Sequence, residues 1–408
     1  ETKADVTGGG GGKGGGRDDE GDEDASHVVT TRTSMLIAPE RARDRDADQK
    51  KRDGISQKNS SQGLSTHVKD VEIDPRCLDV DFEVFNKPRS ELAMHVPVML
   101  EDFGVISTLQ VDRQALSSFL GGVLEGYATV DNPFHNFYHG WDVFRTSYFF
   151  LRPPGMNGAG GSIGGGMKSA GNVGALLDKL TIFSALIAAL CHDIAHTGKN
   201  NQFEVNSGSP LAMMHNDDAV LERHHAQTTL SLLKLPENEG VLQQLSSEET
   251  RRFRKIVITV ILSTDMSQHF KIVENCEKRM LDDAPFDKAN LDDRLFVSTC
   301  VVHCADLGGQ TAPWNIAAKW GEMVIQEFSA QSGAEEELGL PKSPFMVGLD
   351  DEYTRTRLQG NFITYVGLCW SEVYIGTGVC CCRVLMFLLT LLLSFSHKRS
   401  SIIHRFVV

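Results

Sequence analysis

Apolar positions in this chain recur at helical spacing, and three of the apolar runs end alike. Ile182 to Leu190 is almost unbroken and stops at Cys191-His192-Asp193, with His196 one turn further on. Ile256 to Leu262 closes a helix predicted over 248–261 and leads into Thr264-Asp265 and His269. A helix predicted over 292–307, carrying LFVSTCVVHCADL, delivers His303 and Asp306. Charged side chains are seldom buried unless paired, because an isolated buried charge costs several kcal/mol or more. Carboxylates and imidazoles repeated at the ends of the most apolar helices therefore point to a shared cation.

The same periodicity predicts helices over 90–103, 112–127 with Asp112 as N-cap, 219–233, 314–329 and 352–366. On 314–329 the apolar stripe reads Ile316, Trp320, Val324 and Phe328. A further helix is expected to start at Pro133, which would set His135 and His139 on one face, four residues apart. Its aromatics Phe144, Tyr148, Phe149 and Phe150 read as core, as do Met213 and Met214. Residues 78–85 alternate, which suits a strand or a docked extended segment. The fold class expected is all-α, a compact multi-helix domain.

Three stretches fall outside that pattern. Residues 1–70 hold a glycine tract (Gly8 to Gly16) and charge runs, too little apolar surface to offset the entropy of ordering, and are expected to be a disordered linker. Residues 152–174 are a Gly-rich surface loop without the pattern of a phosphate-binding loop. Residues 367–408 form an atypical tail holding Cys380-Cys381-Cys382 and an apolar run from Val384 to Phe395, short of the ~20 residues that span a bilayer. The ordered domain is expected over 71–366, and the start at Glu1 suggests a fragment of a longer protein.

Composition narrows the chemistry. The formal charge of −14 over 408 residues leaves no basic surplus for nucleic acid. Nine scattered cysteines without a CxxC pair suit free thiols in a reducing compartment, so a cytoplasmic location is expected, with the tail admitting membrane contact. His139, His192, Asp193 and Asp306, with His135, His196, Glu222 and Asp265 around them, match a divalent ion with open water positions. An aspartate bridging to a second, more hydrated ion would give a two-metal phosphoester hydrolase, with a nearby histidine as proton donor.

The motifs then resemble the catalytic domain of the class I cyclic nucleotide phosphodiesterases. They are His135-Asn136-x-x-His139-x-x-Asp142, His192-Asp193-x-x-His196-x-Gly198-x-x-Asn201, and Leu211-x-x-Met214-x-Asn216-Asp217 running to Glu222-x-His224-His225. Thr264-Asp265-Met266, His303-Cys304-Ala305-Asp306 and Gln359-x-x-Phe362 follow in order, so the match covers about 70–366. The resemblance implies an all-helical domain with a deep two-metal pocket, its tight site, usually zinc, on His139, His192, Asp193 and Asp306. Asp193 would bridge to a second ion, Mg2+ or Mn2+. His135 would protonate the leaving 3′ oxygen of cAMP or cGMP. His196, Asn201, Glu222, Thr264 and Asp265 would orient ligands and waters. Gln359 would hydrogen-bond the purine, with Phe362 and Val324 on its two faces.

Ala195 stands where the family often has a carboxylate, and Gly309 where some cAMP-specific members have asparagine, which leaves base preference open. The tail departs from the family pattern; if it is an aberrant end, the pocket is incomplete and the chain poorly active. The competing readings are another His-Asp nucleotide phosphohydrolase, or a cyclic-nucleotide sensor with weak turnover. A zincin-type protease is disfavoured, because Asp193 stands where its general base would be glutamate.

Overall fold

Helix α5 (Lys179–Cys191) is the axis of the domain: every residue from Leu180 to Cys191 is buried. The computed structural model describes residues 77, 81–152, 173–280 and 286–364. The readings for 1–70, for all but the ends of 152–174 and for 367–408 lie outside those residues. Among the described residues there is no strand, and the order is α1 (Arg89–Asp102), α2 (Val105–Leu109), α3 (Arg113–Gly126), α4 (Phe137–Leu151), α5, α6 (Asn201–Ser207), α7 (Pro210–His215) and α8 (Val220–Leu232). Then come α9 (Ser247–Leu262), α10 (His269–Met280), α11 (Leu291–Asp306), α12 (Trp314–Glu337) and α13 (Glu352–Phe362).

Local sequence sets the helix starts. Asp112 accepts from the Ala115 N–H, as expected of an N-cap. Asp178 does the same for Thr181 on α5, and Ser246 and Glu249 form a reciprocal capping box on α9. Asp178 also holds Arg252 near the start of α9 (3.0 Å) and Arg294 near the start of α11 (2.6 Å). At the far ends, His303 Nδ1 on α11 meets the Ser263 carbonyl after α9 (2.9 Å), and His192 after α5 meets Asp306. Helices α5, α9 and α11 thus run in one direction and bring their C-terminal ends to one place. Between these ends the packing is apolar, with Phe183 against Phe253 at 5.5 Å. Burial of each such ring stabilises by about 1.5–3 kcal/mol.

Several expectations are corrected. Asn136, not Pro133, starts α4: its side chain accepts from the Tyr138 N–H, so His135 precedes the helix and does not share a face with His139. Of residues 78–85, 78–80 lie outside the described residues, 81–85 hold no strand, and Val84–Asn86 is a short 3-10 turn. Met213 and Met214 are exposed (69% and 51%), because α7 is a surface helix with only Ala212 buried. Helix α12 runs on to Glu337 and buries Ile325 where the stripe predicted Val324. Its second half is held by polar groups. Gln331 accepts from the Asn200 N–H and donates to Glu335, which accepts from the Ser343 N–H.

Candidate metal centre

Tyr127, at the end of α3, fixes the turn that follows α5. Its hydroxyl donates to the Leu190 carbonyl (2.9 Å) and accepts from the Asp193 N–H (3.3 Å). Gly140 lets α4 come against that turn, since a methyl group there would sit 2.8 Å from the Leu190 oxygen. His139 on α4 is thereby set beside His192. The His192 ring donates from Nδ1 to the Ala189 carbonyl (2.9 Å), which leaves the lone pair on Nε2.

Four side chains converge here. His139 Nε2 is 3.0 Å from Asp306 Oδ1 and 3.3 Å from Asp193 Oδ2; His192 Nε2 is 3.0 Å from Asp193 Oδ2 and 3.2 Å from Asp306 Oδ1. The two Nε2 atoms face each other at 3.1 Å. His139 and His192 are buried and the two aspartates nearly so. Bonds of ~2.1 Å to one central ion put neighbouring ligand atoms about 3.0–3.4 Å apart, which is the spacing found. Two imidazoles and two carboxylates packed this tightly fit a dication, and the three converging helix C-termini add negative potential. Without the ion, burial disfavours imidazolium, yet Asp193 and Asp306 hold the His192 pKa well above its ordinary value. Burial likewise opposes ionisation of Asp193 and Asp306, but the facing imidazoles hold both pKa values down.

Asp193 looks two ways. Its Oδ2 meets the first cluster, while its Oδ1 faces His225 Nε2 at 3.7 Å. His225 donates from Nδ1 to the Ile194 carbonyl (2.7 Å), so its buried Nε2 presents a lone pair toward a carboxylate oxygen, with no hydrogen-bond partner. Asp193, His196 and His225 form a second group with ligand atoms close enough for an ion.

His135 stands beside these groups, 5.9 Å from the His139 ring and stacked on His196 at 3.8 Å. Its Nδ1 bonds Glu327 Oε1, and the Phe134 and His135 N–H groups both donate to Glu327 Oε2 at 3.1 Å. Burial works against the charged ring, but Glu327, then Asp193, raise the His135 pKa to about 9. Glu327 is itself lowered to about 2 because the His135 charge outweighs its burial. His196 accepts the Gly198 N–H on Nδ1 (2.9 Å), and burial with the adjacent His135 charge keeps it neutral.

The other expected residues have contacts of their own. Asn201 donates to Glu222 (2.9 Å) and accepts from the Leu221 N–H. Burial lifts Glu222 to about 7, with Asp265 and Asp193 adding to the lift. Thr264 is buried and donates to the Ile261 carbonyl, while Asp265 caps the next turn through Ser267. Gln359 on α13 packs on Gly321 of α12, so closely that a methyl group at Gly321 would overlap its Nε2. Val324 and Phe362 are partly exposed on those two helices. The sequence reading missed Glu327, Tyr127 and the role of His225. Glu327 carried a signal, as a carboxylate one turn after the apolar Met323 and Val324 of α12.

Residues 134–374 match the family described as 3'5'-cyclic nucleotide phosphodiesterase. The chain is 32% identical over 286 residues to the 3',5'-cyclic-nucleotide phosphodiesterase regA of Dictyostelium discoideum, covering 70% of this chain and 33% of that protein. It is 36% identical over 243 residues to the dual specificity calcium/calmodulin-dependent 3',5'-cyclic nucleotide phosphodiesterase 1 of Drosophila melanogaster, covering 59% and 26%. The chain thus matches about a third or less of these relatives' lengths. Among solved structures, the phosphodiesterase domain of the RhoPDE fusion protein from the choanoflagellate Salpingoeca rosetta is similar at TM-score 0.68 and 28% identity, covering 78% of this chain and 94% of that one. With the family match spanning more than half of its length, the chain belongs to the 3',5'-cyclic nucleotide phosphodiesterase family.

Proposed function

We propose that this chain hydrolyses the 3',5'-cyclic phosphodiester of cAMP or cGMP to the 5'-monophosphate, with His139, His192, Asp193 and Asp306 holding the tighter of two divalent ions. The observation that carries this reading is a four-ligand cluster with the His135 imidazole, bonded to Glu327, one ring away. The donor set suits Zn2+ in the first position; Asp193 would also help hold the second ion, for which the more hydrated Mg2+ or Mn2+ is suited. Bound there, the ions would supply Lewis-acid polarisation of the phosphoryl group and of the attacking water.

The chain's own groups do the rest. Asp193, with its two oxygens turned to different clusters, is suited to bridge the ions. His135 holds a proton because Glu327 fixes Nδ1 and stabilises the charge, leaving Nε2–H to give its proton to the departing 3′ oxygen as the P–O bond breaks. His196, stacked on His135 and neutral, keeps that ring in plane. Glu222, held by Asn201, would order water on the second ion in this reading. Gln359, Phe362 and Val324 are the purine-facing residues in this reading.

Cysteines that are scattered and lack a CxxC pair suit a reducing compartment, and a cytoplasmic location goes with this reading. No single helix among the described residues is long and apolar enough to cross a membrane.

The test is hydrolysis of cAMP and of cGMP by the chain with Mg2+, before and after exhaustive chelation. Release of 5′-AMP or 5′-GMP that chelation abolishes and Zn2+ with Mg2+ restores is the expected result. Turnover that survives complete metal removal, or none with metal bound, overturns the reading.

A further inference from the structure

Away from the metal site, three thiols meet between α10 and α11. Cys276 lies on α10, and Cys300 and Cys304 lie one turn apart on α11. Cys276 Sγ is 3.3 Å from Cys300 Sγ. Cys276 is 3% exposed and Cys304 7%, whereas Cys300 is only half-buried. Ile272, Val273 and Phe296 surround the thiols with apolar surface. The hydrolytic reaction uses none of the three.

Buried cysteines commonly serve as small apolar fillers. Two sulfurs in direct contact across different helices can do more, because a disulfide at about 2.05 Å needs the pair to close by only ~1.3 Å. Side-chain torsions and a small shift of two adjacent helices can supply that.

We propose that Cys276 and Cys300 form a reversible oxidation site, joined by a hydroperoxide into a disulfide that ties α10 to α11. The half-buried Cys300 is the thiol that a peroxide reaches. Its thiolate attacks the O–O bond of ROOH, taking one oxygen as a sulfenic acid and releasing ROH. Cys276, at contact distance, then attacks the sulfenic sulfur, and the departing hydroxide takes up the thiol proton as water. Two thiols and ROOH give one disulfide, ROH and water, with two electrons passing from sulfur to the peroxide bond. The bond to Cys276 and burial both hold the Cys300 pKa up, so the thiolate is scarce and the site answers sustained rather than brief oxidant. Cys304 is the competing partner, and the short contact favours Cys276. The cross-link closes a loop between residues 276 and 300, which restricts the unfolded chain and raises thermal stability.

The experiment oxidises the whole chain with hydrogen peroxide, alkylates the remaining thiols and maps the peptides by mass spectrometry without reductant. The expected result is a Cys276–Cys300 linked peptide that dithiothreitol removes, with a melting temperature about 3 °C or more higher than in the reduced chain. Cys300→Ser should lose both effects. Recovery of Cys276 and Cys300 as alkylated thiols or sulfinic acids, or linkage to Cys304 instead, overturns the proposal. The wild-type peptide map decides the matter even if a serine variant fails to fold, and neither readout depends on turnover.

Discussion

At His135 burial and neighbouring carboxylate charge compete, and their balance sets what the ring can do. Burial alone would drive the proton off; Glu327 reverses that and lifts the pKa to about 9. The protonated form therefore prevails below that value and is lost as pH rises through it, and dications in front of Asp193 and Asp306 would offset part of the lift. Glu327→Gln removes the charge that does the lifting and leaves the burial. The alkaline limb of kcat/KM should move to lower pH, and the rate at pH 8 should fall by roughly 10²–10⁴-fold, the range of a lost general acid. Superimposable alkaline limbs for the two proteins would sink the pairing. Gly321 gives a second residue-scale test. Gly321→Ala must displace the Gln359 amide, the mobile end of a flexible side chain, so stability should hardly change. If Gln359 faces the purine, KM should rise with kcat nearly kept; an unchanged KM for both cyclic nucleotides would remove Gln359 from the base site. Ala195 adopts φ 61°, a left-handed conformation that costs an alanine ~1–2 kcal/mol. The family's usual carboxylate tolerates that backbone better, so the departure noted in the sequence is felt first in the backbone of the site turn.

Among the elements, direction matters as much as position. Helices α5, α9 and α11 share a start at Asp178 and an end at the metal centre. Asp178→Asn should keep the cap on Thr181 and lose the two arginine pairs, costing about 0.5–2 kcal/mol for partly exposed ion pairs. Asp178→Ala should cost about 1 kcal/mol more, because the cap goes as well. Chemical denaturation of the two variants separates these terms, and equal midpoints would deny the cap its share. These three helices were legible in the sequence because each is apolar along its length and turns polar at once at its end. Helix α12 was legible only in its first half. Beyond Ser329 it buries Gln331 and Glu335, which look like surface residues until Asn200 and Ser343 are brought against them. Glu327 shows in the period of α12 as a carboxylate after apolar residues, but its partner lies 192 residues away, so its pairing was missed. His135 was placed on a helix by its spacing to His139, but the cap on Asn136 shows that a side chain choosing a backbone N–H decides where a helix begins.

For the molecule as a whole, the metal centre is where separate parts of the chain are tied together. His139 comes from α4, His192 and Asp193 from the turn after α5, and Asp306 from the end of α11. Without an ion, two buried imidazoles face each other at 3.1 Å and two carboxylates close on the same point, and only extra protons can balance that arrangement. An ion that binds the folded chain and not the unfolded one stabilises it by about 2.7 kcal/mol at 100 times its dissociation constant and by ~4.1 kcal/mol at 1,000 times. Chelation should therefore lower the melting temperature by several degrees, and Zn2+ should restore it. The size of that shift should depend on pH. Metal-free, the site keeps protons on imidazoles whose pKa values are raised, so it is least destabilised in acid and loses that compensation as pH rises through them. The gap between metal-bound and metal-free melting temperatures should widen from pH 6 to pH 9. In His139→Ala or Asp306→Ala the gap should vanish and Zn2+ should no longer bind stoichiometrically. A gap of the same size in either variant would mean that the stabilising ion sits elsewhere, and the cluster at the ends of α5 and α11 would then need another explanation.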